Sequence, residues 1–270
     1  MRELGLKEIR SIQCEIMQNV HDFMVEHGLR YSLACGTLIG AIRHKGYIPW
    51  DDDIDIYMPR EDYSRLIEIF PDTYREHYKL ASYETCPKWN RAYANIYDDR
   101  TVWDEEKANG EMTIGVNVDV FPVDHVPDDE NDNKVFIRNR NFLNWLWVVK
   151  HTSIRGHNRS KLKCLSVILL KLLILPLPAH QIVRYIDHYF QKYNSHESER
   201  LFGLLGGVVE KAPFQKKDFD GLLEVPFEGY YFNVMIGYDD CLKNSYGNYM
   251  ELPPLEKRKA HHYYHAYMKG

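Results

Sequence analysis

The chain has no cysteine pair. Its five cysteines, Cys14, Cys35, Cys86, Cys164 and Cys241, are scattered and odd in number, with no C-x-x-C among them. This excludes a zinc knuckle and a disulfide scaffold and points to a reducing compartment. There is no basic excess: the net charge is −5, so the global footprint of a nucleic-acid-binding protein is missing. Long apolar runs are also absent. The longest, Leu165–Leu175, is interrupted by Lys171 and falls short of the roughly 20 residues a spanning helix needs. The first residues, MRELGLKEIRSIQ, are charged where a secretory leader would be apolar, which predicts a cytoplasmic chain. No repeat or low-complexity tract is apparent. At 270 residues and 44% hydrophobic, the chain can bury one large core or two small ones.

One absence is local. From Lys134 to Ile186 there is no Asp or Glu but ten Lys and Arg, where average acid content would place about seven or eight acids. The Leu165–Leu175 run lies inside this window. Basic flanks beside an apolar helix suit a segment lying in the surface of an anionic membrane, peripheral to its inner face. A buried helix with a solvated basic rim has the same periodicity. Trp145 and Trp147 fit an interface or a core equally well.

The segment Gly36–Asp55 is the richest in chemistry. A Gly36-Thr37 turn precedes Asp53-Ile54-Asp55-Ile56, whose alternation predicts a half-buried strand with Asp53 and Asp55 on one face. Carboxylates so close repel unless a proton or cation lies between them, and a hard cation such as Mg²⁺ (or Mn²⁺) is the usual solution. Four Asp within five residues also describes a solvated loop, but Trp50, Ile54 and Ile56 lace this one with apolar bulk. Asp119, in the β-rich Val116–Phe121, is a third carboxylate able to complete the site as a ligand or to act as a general base. Asp51 and Asp52 read as loop residues around it. Gly36 lets a backbone N–H approach a phosphate, and Thr37 adds a hydroxyl at a helix start. Arg43, His44 and Lys45 follow as candidates for a diphosphate, against the plainer reading of an exposed loop. Trp50 is a candidate for packing or for stacking on a base.

Periodicity predicts an α+β fold. An N-terminal amphipathic helix runs through Ile9, Ile16 and Phe23 to a stop at Gly28. Strands are expected over 30–35, 54–58, 78–83, 92–97 and 115–121, helix from about 130 to 194, and two helices flanking Pro253-Pro254. The expectation is a small mixed sheet carrying the acids over residues 1–127, with a mainly helical region over 128–270 completing the site.

Three blocks make the chain recognisable: GTLIGAIRHKGYIPWDDDIDIYMPREDY (Gly36–Tyr63), VDVFPVDHVP (Val118–Pro127) and YGNYMELPPLEKRKAHH (Tyr246–His262). In order and spacing they closely resemble the LicD family of phosphocholine, or more broadly phospho-alditol, transferases of the nucleotidyltransferase superfamily. The resemblance implies a nucleotidyltransferase-like fold, a CDP-choline or related CDP-alcohol donor, and a sugar hydroxyl acceptor on a cell-surface glycan precursor of teichoic acid or lipopolysaccharide type, lipid-linked. It implies substrate contacts from Tyr246, Arg258 and His261. Asn95 departs from the pattern, standing where many relatives carry Lys or Arg; Arg91 and Arg100 are nearby substitutes. A quaternary ammonium favours an aromatic cage, and 20 Tyr single out no candidate. His261 and His265, four apart, would share a helix face, but without H-E-x-x-H they make a weak zinc pair. Two other readings share the acidic motif: nucleotidyl transfer with release of pyrophosphate, and an inactive membrane-peripheral choline-binding module.

Overall fold

The computed structural model describes residues 1–73, 77–105, 112–151, 161–196, 198–203, 214–258 and 264–270. After a two-residue strand, β1 (Arg2–Glu3), helix α1 spans Leu6–Glu26. Ile9, Ile16, Val20 and Phe23 form its buried stripe, and Gly28, at φ +65°, turns the chain away beyond its end. A short β2 (Ser32–Leu33) leads into α2 (Cys35–His44), which closes on Lys45 in the left-handed conformation. β3 (Asp55–Pro59), α3 (Arg60–Thr73), β4 (Tyr78–Ala81), β5 (Ala94–Asp98), β6 (Thr101–Glu105) and β7 (Asn117–Val126) follow. Helices α4 (Glu130–His151), α5 (Lys161–Leu173) and α6 (Ala179–Phe190) form the helical middle. The chain then returns to strand with β8 (Arg200–Gly203), β9 (Phe214–Gln215), β10 (Leu222–Phe227) and β11 (Tyr230–Met235). It ends with α7 (Tyr238–Tyr246) and β12 (Tyr264–Met268).

The main sheet is mixed and runs β2-β3-β7-β5-β4, with β8 also on β7 and β9 on β8. Among the described strands of this sheet only the β3–β7 pairing is parallel. β7 is the spine: Val118, Val120 and Val126 are fully buried and Phe121 and Val123 nearly so, a run of large apolar residues suited to a strand covered on both faces. α1 packs on β5, β7 and β11, and α3 on β3, β4 and β7. The principal core joins both ends of the chain, from Ile16 and Tyr31 to Phe227, Phe232 and Leu242. A second cluster, around Phe136, Ile186, Phe190 and Phe202, fastens α4 and α6 to the end of β7.

The α+β expectation holds, with three corrections. The strand bearing the acids begins at Asp55, so Asp53 lies in the loop before it. β6 was not anticipated. Among the described residues no second C-terminal helix follows Pro254: one tight turn, Leu255–Lys257, and, beyond residues 259–263, β12 stand there instead. β12 pairs antiparallel with β1 and with β6, partners far away in sequence. His265 therefore sits on a strand rather than on the expected helix, its Nδ1 2.5 Å from Glu3 Oε1. His261 lies outside the described residues.

Candidate functional site

The acidic loop is held by the backbone of its own residues. Arg10 of α1 donates to the carbonyls of Asp51 (2.6 Å), Pro49 (3.1 Å) and Ile48 (3.2 Å), and Gln13 donates to Asp52 O at 3.0 Å. With carbonyls pinned from one side, the loop brings carboxylate oxygens of Asp51, Asp52 and Asp53 within 4.8 Å of one another. Gly36, in the first turn of α2, lies against the same cluster. A Cβ there would stand 2.4 Å from Asp51 Oδ2, a separation only the missing side chain permits. The start of α2 also offers the positive end of the helix dipole to that carboxylate.

Thr37 braces the strand that carries Asp55. It is buried, and its Oγ1 accepts the Asp55 N–H at 2.9 Å. Ala34 N–H donates to Asp55 O, also at 2.9 Å. The residues around the α2 start thus fix the first residue of β3. From there the parallel ladder places Asp55 beside Asp119, and the next ladder places Asn95 beside Asp119. Paired residues project to one face, so two carboxylates and one amide stand in a row across three strands. Two amides converge on Asp119 Oδ1: Asn117 Nδ2 donates at 2.6 Å and Asn95 Nδ2 donates beside it. Asn95 is fully buried. The Asp55 carboxyl is held well above the ordinary carboxylate range, first by desolvation and then by the charges of Asp53, Asp119 and Asp51.

This donor set is all oxygen, crowded and negatively charged, and it fits a hard divalent cation. The sequence predicted Asp53, Asp55 and Asp119; the structure groups Asp53 with Asp51 and Asp52, sets Asp55 opposite Asp119 across the β3–β7 ladder, and brings the charges of Asp53, Asp119 and Asp51 to bear on the Asp55 carboxyl.

A cationic patch adjoins the acids. Arg43 Nη1 donates to the carbonyls of Tyr249 (2.5 Å) and Glu251 (3.1 Å), and its Nε donates to His44 Nε2 at 2.9 Å. Arg258 Nε donates to Pro253 O at 2.7 Å, and its guanidinium lies 5.7 Å from the centre of the Trp50 ring. Burial and then the Arg258 charge lower the Arg43 pKa; burial and then Arg43 lower that of His44, favouring neutral imidazole. The third motif is thereby folded onto the first, with the Arg258 guanidinium near the Trp50 that leads into the acids and its charge felt by Arg43. Trp50 itself packs against the core. Lys45 is exposed, its Nζ bonded to Ile42 O at 3.1 Å. Tyr246 is exposed at the end of α7.

The proposed substitutes for a basic residue at position 95 are otherwise engaged: Arg100 pairs with buried Asp98 at 2.5 Å, and Arg91 lies over Trp89 and Tyr93. Arg10, Gln13 and Asn117 escaped sequence reasoning. A lone Arg on the polar side of an amphipathic helix looks like any solvated charge, and only tertiary contact reveals the clamp. A cavity of about 510 Å³ lies elsewhere, between Tyr83 and α6, and includes none of the predicted site residues.

The family model described as LicD/FKTN/FKRP, nucleotidyltransferase domain, matches residues 28–179, a span that holds Gly36, the acidic loop, Asp55, Asn95 and Asp119. Lipopolysaccharide cholinephosphotransferase LicD of Haemophilus influenzae is 31% identical over 280 aligned positions, covering 99% of this chain and 100% of that protein. Uncharacterized protein RP689 of Rickettsia prowazekii is 35% identical over 77 residues, 27% of this chain and 29% of its own length. Matched over more than half its length by the family model and end to end by a relative, the chain belongs to the LicD family.

Proposed function

We propose that this chain is a phosphocholine transferase that takes CDP-choline as donor and a sugar hydroxyl of a cell-surface glycan precursor, of lipopolysaccharide or teichoic acid type, as acceptor. The acceptor oxygen attacks the choline-bearing phosphorus, the bond to the bridging diphosphate oxygen breaks, and CMP leaves. Phosphoryl transfer of this kind depends on positioning and charge neutralisation more than on covalent chemistry. The observation that carries the reading is the row Asp55–Asp119–Asn95 beside the acidic loop, in a chain aligned end to end with a cholinephosphotransferase.

Asp53, Asp55 and Asp119 would hold Mg²⁺ (or Mn²⁺), with Asp51 at their edge; when bound, the cation neutralises diphosphate charge. Two amide donors on Asp119 Oδ1 fix its rotamer, which supports a ligand role over that of general base. Gly36 keeps the turn beside Asp51 open to a phosphate oxygen. Arg43 and Arg258, tied to backbone carbonyls, supply positive charge to the nucleotide end of the donor. In this reading residues 1–127 form a nucleotidyltransferase-like core, and residues 128–270 complete it where the third motif meets Arg43 and Trp50.

The test is product identity. Incubation with CDP-choline, Mg²⁺ and a glycan acceptor should release CMP in step with phosphocholine incorporation. Release of pyrophosphate from CTP, with none of CMP from CDP-choline, would assign nucleotidyl transfer instead.

A further inference from the structure

Two helices of the acid-free window turn apolar side chains outward. On α5, Leu165, Ile168, Leu169 and Leu172 repeat at the spacing of a single helix face, and they are 52, 37, 59 and 59% exposed. In a globular protein that stripe faces the core. Here Ile174, just past the helix, is buried, while Val167 and Leu170 are half-buried. The outward stripe is therefore a second apolar surface on a helix that already packs. On α4, Phe142 and Trp145 stack with ring centres 6.0 Å apart, and both are exposed. The aromatic pair on α4 and the leucine stripe on α5, helices in contact with each other, expose more than scattered single apolar residues.

The charge around these stripes defines what covers them. Lys134, Arg138 and Arg184 are exposed on the same acid-free stretch. The α4 and α5 ends meet where Lys171 Nζ donates to Lys150 O at 2.9 Å and Lys150 Nζ donates to Ile174 O at 3.4 Å, two ammonium groups side by side. A partner must be apolar at its centre and anionic around it. A second copy of this chain meets that condition poorly, because a two-fold interface would set one Lys- and Arg-bearing stretch, without an acid from Lys134 to Ile186, against its equal. A transmembrane mode fails. Among the described residues no helix is long and apolar enough to cross a membrane, and the 13 residues of α5 reach only about 20 Å against a hydrocarbon core of about 30 Å. An anionic bilayer surface meets both conditions: apolar side chains enter the acyl boundary while Lys and Arg meet the headgroups.

We infer that the α4–α5 face docks on the surface of an anionic membrane, with α5 lying in its plane. The inference stands apart from the chemistry proposed above, and its test reads binding without turnover. The full chain is sedimented with vesicles of phosphatidylcholine alone and with vesicles of equal parts phosphatidylcholine and phosphatidylglycerol. It should pellet with the second and not the first, and the binding should weaken as salt rises. The double variant Leu169→Glu, Leu172→Glu, placed on exposed positions, should keep its melting temperature and lose binding by roughly tenfold or more. Failure of the wild-type chain to pellet with anionic vesicles overturns the inference, as does undiminished binding by a folded double variant. A wild-type dimer that the double variant converts to monomer, with no vesicle binding by either, would assign the face to self-association.

Discussion

Asp55 and Asp119 stand opposite each other across the parallel β3–β7 ladder, and Asn95 faces Asp119 from the other side. The residues come from three separated stretches of chain, yet backbone pairing alone makes them neighbours. Such carboxylates, crowded further by Asp51 and Asp53, burden the metal-free fold. Arg10, Gln13, Thr37 and Asn117 hold the acids in this geometry, as the proposed binding of a cation and a diphosphate requires.

Replacing Asp53 or Asp55 by Asn removes a charge with little change of volume. CMP release should fall at least about a hundredfold. The melting temperature of the metal-free Asp55→Asn protein should equal or exceed that of the wild type, because a repelled, desolvated charge is gone. Wild-type turnover in either variant, or a collapse of melting temperature, contradicts the assignment.

Asn95 acts through Asp119. Asn95→Ala should lower kcat by about ten- to a hundredfold while leaving the KM for donor within a few-fold, the pattern of a lost supporting contact. Asn95→Asp should be worse than Asn95→Ala, since it sets a further carboxylate against Asp119. Equal activity in the two variants would remove charge from the explanation.

Gly36→Ala tests the approach of the acidic loop to α2. A methyl group 2.4 Å from Asp51 Oδ2 forces the carboxylate aside. Overpacking of this sort costs about 1–3 kcal/mol, so the variant should fold, melt lower and lose most of its transfer activity. An unchanged kcat would mean that the position of Asp51 is immaterial.

Metal and pH are linked with a definite sign. The Asp55 pKa is raised in the fold, so the metal-free protein loses stability as pH climbs from the ordinary carboxylate value through the raised one. A bound cation reverses this where the acids are ionised and competes with protons where they are not. Added Mg²⁺ should raise the melting temperature at neutral pH, and the increment should shrink as pH falls toward 4. A pH-independent increment would place the cation elsewhere.

Arg60 anchors the far end of the same two strands. Its guanidinium pairs with Asp124 at 2.5 Å and Asp187 at 2.8 Å, with both acids essentially inaccessible. Arg60→Met strands those charges and should destabilise the fold by about 3–5 kcal/mol, measured by denaturant unfolding. A loss below about 1 kcal/mol would show the pair to be solvated.

The local signals were legible in sequence. The stripe of α1, the buried face of α3 at Tyr63, Leu66, Ile67 and Phe70, and the spacing of Gly36, Asp53, Asp55 and Asp119 could all be read directly. What depended on distant pairing could not. β6 and β12 are made by each other and by β1, so Tyr264–Met268 carries no local cue that outweighs a helical reading. The β10–β11 hairpin turns at Glu228-Gly229, both at positive φ, and is fixed by the register of one strand on the other. The site followed the same division: acids announce themselves by spacing, whereas the amides and the Arg10 clamp become meaningful only once folding brings them to those acids.

The most direct measurement is isothermal titration of the purified protein with CDP-choline, with and without Mg²⁺, and with CTP and CDP-ribitol as controls. Metal-dependent binding of CDP-choline, tighter than either control and abolished in Asp55→Asn, is the predicted result. No heat with CDP-choline, beside clear binding of CTP or CDP-ribitol, would contradict the choline assignment, and silence with all three would contradict donor binding at this site.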